Sequence, residues 1–439
     1  MKDMMPAKNI YRLIESFLGL IAVLLVGCSV ATSKPIPPFR AIVLNFVPGI
    51  APAQGSWEMS EQTLNTLEDP DTMRGTNFEI FTGQKLSIDA TVGSLVSGRI
   101  SGTSSTAAVR YDVKNNIIVA RDSSTLLLFS SFHAFEQMFD SLEQTSGLSI
   151  ETLKNAVGGK YKILFEPTIE DAGAQTKARL TLKLNAAFYS EADNFLLFRR
   201  SELEKVPLAA NIKVISHEFG HALFKYSFFG QRNDKCSAKD EKEFAANRNN
   251  KLFPGRFATE FAISGFNEGY ADFNSFVVTG DVNPIEGSLD FEDLDKRSLV
   301  GSKFTFSQLK NSNVCDKKFY CIGTLFARAL YKSALQYRAN PSELQAFSRR
   351  VFAALAKTGS NLNSQPSLDL LPSPKAEIAA CQNPTAISMT YDGSVSAAFL
   401  AAFLKGITVP ADRTAICDAL IENFATEGFP MEARSACSL

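Results

Sequence analysis

Apolar positions recur along the chain with two periods, and the change from one to the other lays out its elements. From about Phe39 to Leu127 they fall in short runs, Ala41–Phe46, Phe78–Phe81, Lys85–Ala90 and Asn116–Ala120, between Gly, Ser and Asn turns. That pattern predicts strands. The stretch Gly93–Ala108, rich in Gly, Ser and Thr, predicts a loop. From Leu128 to Glu143 the period lengthens, and Leu128, Phe132, Phe135, Phe139 and Leu142 form one helical stripe. His133 lies about 140° from the centre of that stripe on a helical wheel, which predicts a surface or packing histidine outside the local core. Strand-like runs return at Tyr161–Phe165, Ala178–Leu184 and Asn194–Phe198. Helical runs follow at Asn211–Phe224, Phe257–Val278, Gly323–Tyr337, Pro341–Lys357, Val395–Leu404 and Asp412–Phe424, with little periodicity between 358 and 393.

The helix at Asn211–Phe224 carries the chemistry. His217 and His221 are four residues apart, so they sit one above the other on a helix and can offer ring nitrogens to one ion. Glu218 points beside that ion. This is the His-Glu-x-x-His arrangement, in which two imidazoles bind Zn²⁺ and the carboxylate can activate a metal-bound water. Catalytic zinc takes three protein ligands, and the chain has only three histidines, the other being His133. A carboxylate is therefore the natural third ligand. In Phe266-Asn-Glu-Gly-Tyr-Ala-Asp-Phe273, Glu268 and Asp272 share a helix face. Glu268 can ligate the ion while Asp272 accepts the free N–H of a ligand imidazole.

These two segments resemble the His-Glu-x-x-His and Asn-Glu-x-x-x-Asp motifs of thermolysin-like zinc metallopeptidases, including the fungalysin family. The resemblance implies His217, His221 and Glu268 as metal ligands, Glu218 as general base, one Zn²⁺ per chain, and a peptide or protein substrate. It implies an α+β fold: a β-rich N-terminal region (39–127), a zinc-peptidase unit (128–280) of mixed sheet and active-site helices, and a mainly α-helical C-terminal part (281–439). A propeptide is an equally good reading of the N-terminal region. Two departures stand out. The spacing between His221 and Glu268 is longer than usual, which places an insertion at Gln231–Asn250. No histidine follows His221, so the one that helps stabilise the tetrahedral intermediate in thermolysin has no counterpart. Phe319-Tyr-Cys-Ile-Gly323 resembles the fungalysin segment in which His-x-x-Gly opens a helix, with Tyr320 in the histidine's place. Its phenol is a candidate oxyanion donor; a tyrosine packed at a helix start is the other reading. Resembling peptidases bind extended substrate along a strand edge before the zinc helix, for which Asn185–Ser190 and Asn194–Phe198 are both candidates.

Lys2, Lys8 and Arg12 precede the apolar run Phe17–Val26, too short to span a bilayer, and Leu25-Val-Gly-Cys28 follows. This resembles a bacterial lipoprotein signal at 1–27, implying acylation at Cys28, a lipidated tether over 28–38, and an exported chain anchored in the cell envelope. Ser29 favours the outer membrane over inner-membrane retention. A net charge of −1 without a basic cluster argues against a nucleic-acid partner. Six further cysteines, Cys236, Cys315, Cys321, Cys381, Cys417 and Cys437, fit disulfides in an exported chain. The acidic stretch from Gly280 to Asp295 is a candidate Ca²⁺ site, without EF-hand spacing. Three functional classes stay open: an active peptidase, an inactive zinc-containing lipoprotein serving as a binding or scaffold module, and a metal-free structural lipoprotein. Oligomeric state is not legible.

Overall fold

A computed structural model describes residues 37–47, 56–83, 85–88, 98–101, 109–166, 168–171, 187–189, 194–197, 206–229, 254–286, 297–300, 318–363, 394–424 and 429–438. Strand β1 (Phe39–Val47) buries Phe39, Ala41 and Val43 by alternation. It pairs antiparallel with β2 (Ser56–Leu64) from Phe39↔Leu64 to Val47↔Ser56, and parallel with β9 (Ile117–Ala120). With β8 (Tyr111–Lys114) they make a sheet in the order β2-β1-β9-β8.

A second sheet runs β12-β13-β10-β5-β4-β3, built from β3 (Leu67–Asp69), β4 (Arg74–Gly75), β5 (Phe78–Thr82), β10 (Tyr161–Phe165), β12 (Ala187–Tyr189) and β13 (Asn194–Leu197). A third, β11-β6-β7, joins β6 (Lys85–Ile88), β7 (Gly98–Ser101) and β11 (Thr168–Asp171). The parallel pairings Phe165↔Thr82 and Thr168↔Lys85 keep one register. The second sheet's pairing of β5 with β10 ends beside Gly83 and Glu166, which take positive φ, 68° and 47°. Only glycine adopts that conformation freely, so the break is cheap on one strand and strained on the other.

Helix α1 (Ser123–Ser146) starts where the Asp122 carboxylate accepts from Thr125 N at 2.7 Å and ends at left-handed Gly147. It is longer at both ends than the stripe predicts, and it is buried on nearly every side. Ser130 Oγ accepts from Leu44 N on β1 (2.9 Å), and Glu136 Oε1 accepts from Thr66 N after β2 (2.5 Å). Phe78 of β5 packs on Phe132, Phe135 and Phe139 at centroid distances of 4.6, 5.7 and 5.4 Å. Of the two expectations for His133, the surface one and its placement outside the core are therefore corrected, and the packing one agrees with the structure. Its ring is 6% exposed and buried, because α1 lies between sheet and helices and has no solvent side at that position.

The remaining elements are α2 (Ile150–Val157), α3 (Ile212–Phe224) running into a π-helical turn at Lys225–Phe229, α4 (Pro254–Thr279), α5 (Lys318–Ala334), α6 (Pro341–Asn363), α7 (Ser394–Gly406), α8 (Pro410–Phe424) and α9 (Met431–Cys437). The fold is mixed, with strands first and helices dominating after residue 206. The division expected at 127/128 does not coincide with a break in the sheet, since β5 before it lies between β4 and β10. Cys417 and Cys437 are joined, tying α8 to α9. No helix of the described residues is long and apolar enough to cross a membrane. The signal region, Cys28, the Gln231–Asn250 insertion, Cys236, Cys315 and Cys381 lie outside the described residues.

Candidate metal centre

The two motif helices are held at backbone distance. Asn211 opens α3: its Oδ1 accepts from Lys213 N at 3.0 Å and its carbonyl from Ile215 N at 2.9 Å. A β-carbon on Gly220 would lie 2.6 Å from the Ala271 Cα, so the glycine inside His-Glu-x-x-His is what lets α4 approach. Asn274 Nδ2 donates to the Ser216 carbonyl (2.7 Å) and Ser275 Oγ to that of Lys213 (2.9 Å). From the other side, Phe219 of α3 packs on Phe139 and Tyr161, 5.4 and 6.0 Å away, which joins α3 to α1 and the central sheet.

This packing brings the predicted residues together. His217 Nε2 and His221 Nε2 are 3.1 Å apart, and Glu268 places Oε2 3.4 Å from the first and Oε1 3.8 Å from the second. His217, Glu218 and His221 each offer a ligand atom within 4.8 Å of the others. The opposite edges of both rings are occupied. Asp272 Oδ1 lies 2.9 Å from His217 Nδ1, and Asn267 Oδ1 lies 3.0 Å from His221 Nδ1. Oxygens there are acceptors, so each Nδ1 donates outward and each Nε2 faces the space between the two rings.

Two imidazole nitrogens and a carboxylate converging in a largely buried space form a donor set suited to a cation. Nitrogens each about 2.0–2.1 Å from a tetrahedral zinc would stand roughly 3.3–3.4 Å apart, close to the spacing here. The donors thus fit a divalent ion of the zinc type. In the metal-free chain a proton takes part of that role. Burial opposes charge on His217, but hydrogen bonds to Asp272 and Glu268 outweigh it and raise its pKa to about 9. Burial, unmatched by its partners, lowers that of His221. Burial would raise Glu268, yet the neighbouring histidines and Arg297 hold it at about 2. Asp272 is likewise lowered, against burial, by Arg297 and His217.

Two further residues take part, Asn267 and Arg297, to which ligand spacing gives no role. Asn267 is the motif's first letter, and its position one residue before Glu268 on α4 was the signal available. Arg297 had none: it lies in a charged stretch with no motif spacing. Its Nε and Nη2 grip Asp272 at 2.9 and 2.6 Å, and Nη2 also donates to Glu268 Oε2 at 3.2 Å.

Gly323 of α5 crosses α4 so closely that a β-carbon on it would meet the Glu268 Cβ at 3.0 Å. Tyr320 lies one turn earlier, so the backbone of its helix end is beside the site; its side chain, like that of Cys321, lies outside the described residues. His133 stays on α1 and joins no metal-ligating group among the described residues. Two acids considered for calcium, Asp281 and Glu286, face the buried Lys213 ammonium at 2.6 and 3.2 Å, so a lysine stands where a cation would.

No family model matches the chain, and a comparison with curated proteins gives no match. Among solved structures, the precursor of protealysin, a metalloproteinase from Serratia proteamaculans, is similar over 85% of this chain and 89% of that one, at 10% identity and a TM-score of 0.33. A likeness of that size carries no functional weight; the chemistry of the site has to carry it.

Proposed function

We propose that this protein is a zinc-dependent metallopeptidase, with His217, His221 and Glu268 holding the ion and Glu218 acting as general base. The observation that carries the reading is the inward pair of Nε2 atoms, 3.1 Å apart, with both Nδ1 atoms held by acceptors and Glu268 closing the third side. The donor set of two imidazoles and one carboxylate suits zinc. An ion bound there would supply Lewis acidity toward the substrate carbonyl. Glu218, buried and beside both imidazoles, takes the proton of the attacking water and returns it to the leaving amine. Asp272 and Asn267 keep the rings in one tautomer while this happens.

Among the described residues the central sheet has two outer strands, β3 and β12, and β12 packs on α3. An extended peptide could add to that edge through backbone hydrogen bonds, which favours the Asn185–Ser190 segment over Asn194–Phe198 as the docking strand. The N-terminal lipoprotein signal and acylation at Cys28 complete the proposal, placing the enzyme on the envelope, at the outer membrane.

Zinc content and cleavage of a mixed peptide library, for wild type against Glu218→Gln, test it. We expect about one zinc per chain in both proteins and a loss of turnover of at least a hundredfold in the variant. Undiminished hydrolysis by Glu218→Gln would sink the assignment. The absence of a histidine after His221 favours a second reading, an inactive zinc-containing scaffold. Zinc without cleavage by either protein is its signature.

A further inference from the structure

A buried carboxylate, Asp272, and a half-buried one, Glu268, meet beside His217, and one guanidinium serves both. The side chains of Asp272 and Glu268 are 1% and 17% exposed. Arg297 takes both oxygens of Asp272 and, through the same Nη2, the Oε2 of Glu268. That Nη2 also lies 3.4 Å from each ring nitrogen of His217. One cationic nitrogen is therefore in reach of two side chains that would ligate the ion and of the carboxylate that orients one of them.

A buried anion without a counter-charge is expensive, so a cation is needed here whether or not metal is bound. Arg297 supplies it from within the chain. Its charge has the opposite consequence once an ion arrives, because like charges a few ångströms apart in a dry site repel strongly. Glu268 also divides its charge between guanidinium and ion.

We propose that Arg297 is a built-in placeholder for the metal. It keeps the ligand cluster folded in the ion-free chain and holds the affinity for a divalent cation below what His217, His221 and Glu268 would reach alone. Loading of the site then depends on metal supply, with no collapse of the fold when supply is short. This rests on the metal-centre reading above, though not on peptidase activity. Arg297 is a positioning residue here, acting through Asp272 and Glu268.

The test uses the full chain as wild type, Arg297→Met and Arg297→Lys. Zn²⁺ affinity is measured by competition with a chromogenic chelator, and melting temperature with and without Zn²⁺. Methionine keeps much of the side-chain bulk without the charge, and should bind zinc on the order of tenfold tighter or more. Its loss of melting temperature should be larger without zinc than with it. Lysine keeps the charge but loses the fork that grips Asp272, and its zinc affinity should fall between those of wild type and Arg297→Met. Unchanged or weaker zinc binding by Arg297→Met, or equal thermal losses in the two conditions, would overturn the proposal. Should Arg297→Met fold only with zinc present, its release rate into excess chelator decides: slower than wild type supports the placeholder, faster overturns it. Failure of the wild type to bind zinc would overturn the metal reading itself. Zinc binding by the wild type with no change in Arg297→Met removes the placeholder alone.

Discussion

His133 shows at single-residue scale what a helical wheel leaves out. Its ring is buried, both nitrogens lack a partner among the described residues, and burial alone lowers its pKa from 6.5 to about 4. Above the unfolded value the ring is neutral in both states and contributes nothing to pH dependence. Between 6.5 and about 4 the unfolded chain takes up a proton that the folded chain does not, so stability falls as pH falls. The slope is about 1.4 kcal/mol per pH unit and the total about 3 kcal/mol, after which the contribution is constant. His133→Leu should remove this limb. Denaturant titrations from pH 8 to 3.5 should show the stability difference between variant and wild type flat above about pH 7 and growing in the variant's favour down to about pH 4. A difference independent of pH would mean the ring finds a partner when it protonates. The contrast with His217 is instructive. Spacing made His217 and His221 legible as one pair and Glu268 and Asp272 as another, because i, i+4 geometry is a property of the helix itself; joining the pairs takes the third ligand an ion needs and the family resemblance. Nothing local marks Arg297, whose partners belong to a helix that ends 18 residues earlier in the chain.

At the scale of elements, periodicity predicted all the longer helices, and it failed where tertiary contact decides. Strand β2, Ser-Trp-Glu-Met-Ser-Glu-Gln-Thr-Leu, has almost no apolar alternation, as only Leu64 is buried, and its full register with β1 is what makes it a strand. Nor does alternation name a strand's neighbour: β5 pairs with β10, some 80 residues on, and no short-range signal connects them. Glycines carry comparable hidden information where helices cross. A β-carbon on Gly269 would lie 2.3 Å from the Gly323 carbonyl oxygen, and one on Gly323 would lie 2.6 Å from that of Gly265. Rigid backbone on both sides leaves little room to yield. Gly323→Ala should therefore cost about 2–3 kcal/mol and weaken metal binding, since α5 presses on the turn of α4 that carries Glu268. Gly280→Ala is the control. Its φ of 71° makes alanine strained, but no atom lies within 4 Å of the added carbon. A loss of about 1 kcal/mol with unchanged metal affinity is expected there. Chemical denaturation with metal titration on both variants separates crowding at the site from backbone strain remote from it.

For the whole molecule, the question is whether the N-terminal strands are a detachable piece, as a propeptide would be. They contribute the middle of the central sheet through β5 and cover α1 through β1, while Ser130 and Glu136 hold backbone N–H groups of Leu44 and Thr66. Removing residues before Asp122 would bare Phe129, Phe132 and Phe135, each fully buried in the intact chain. At about 1.5–3 kcal/mol per large apolar side chain, that loss alone is roughly 5–9 kcal/mol. A whole domain commonly has only about 5–15 kcal/mol to lose. Through Phe139 and Phe219 the damage would reach α3, so the ligand helix would lose its support as well. A chain beginning at Asp122 should therefore show no cooperative thermal transition and no stoichiometric zinc binding. The full chain should show both. Cooperative melting with zinc bound in the shortened chain would show instead that the helices close the core without β1 and β5, and would restore the N-terminal strands as a separable region. Limited proteolysis of the full chain gives an independent reading of the same point: cleavage near 122 should abolish zinc binding, because the strands it severs belong to the sheet that holds the site.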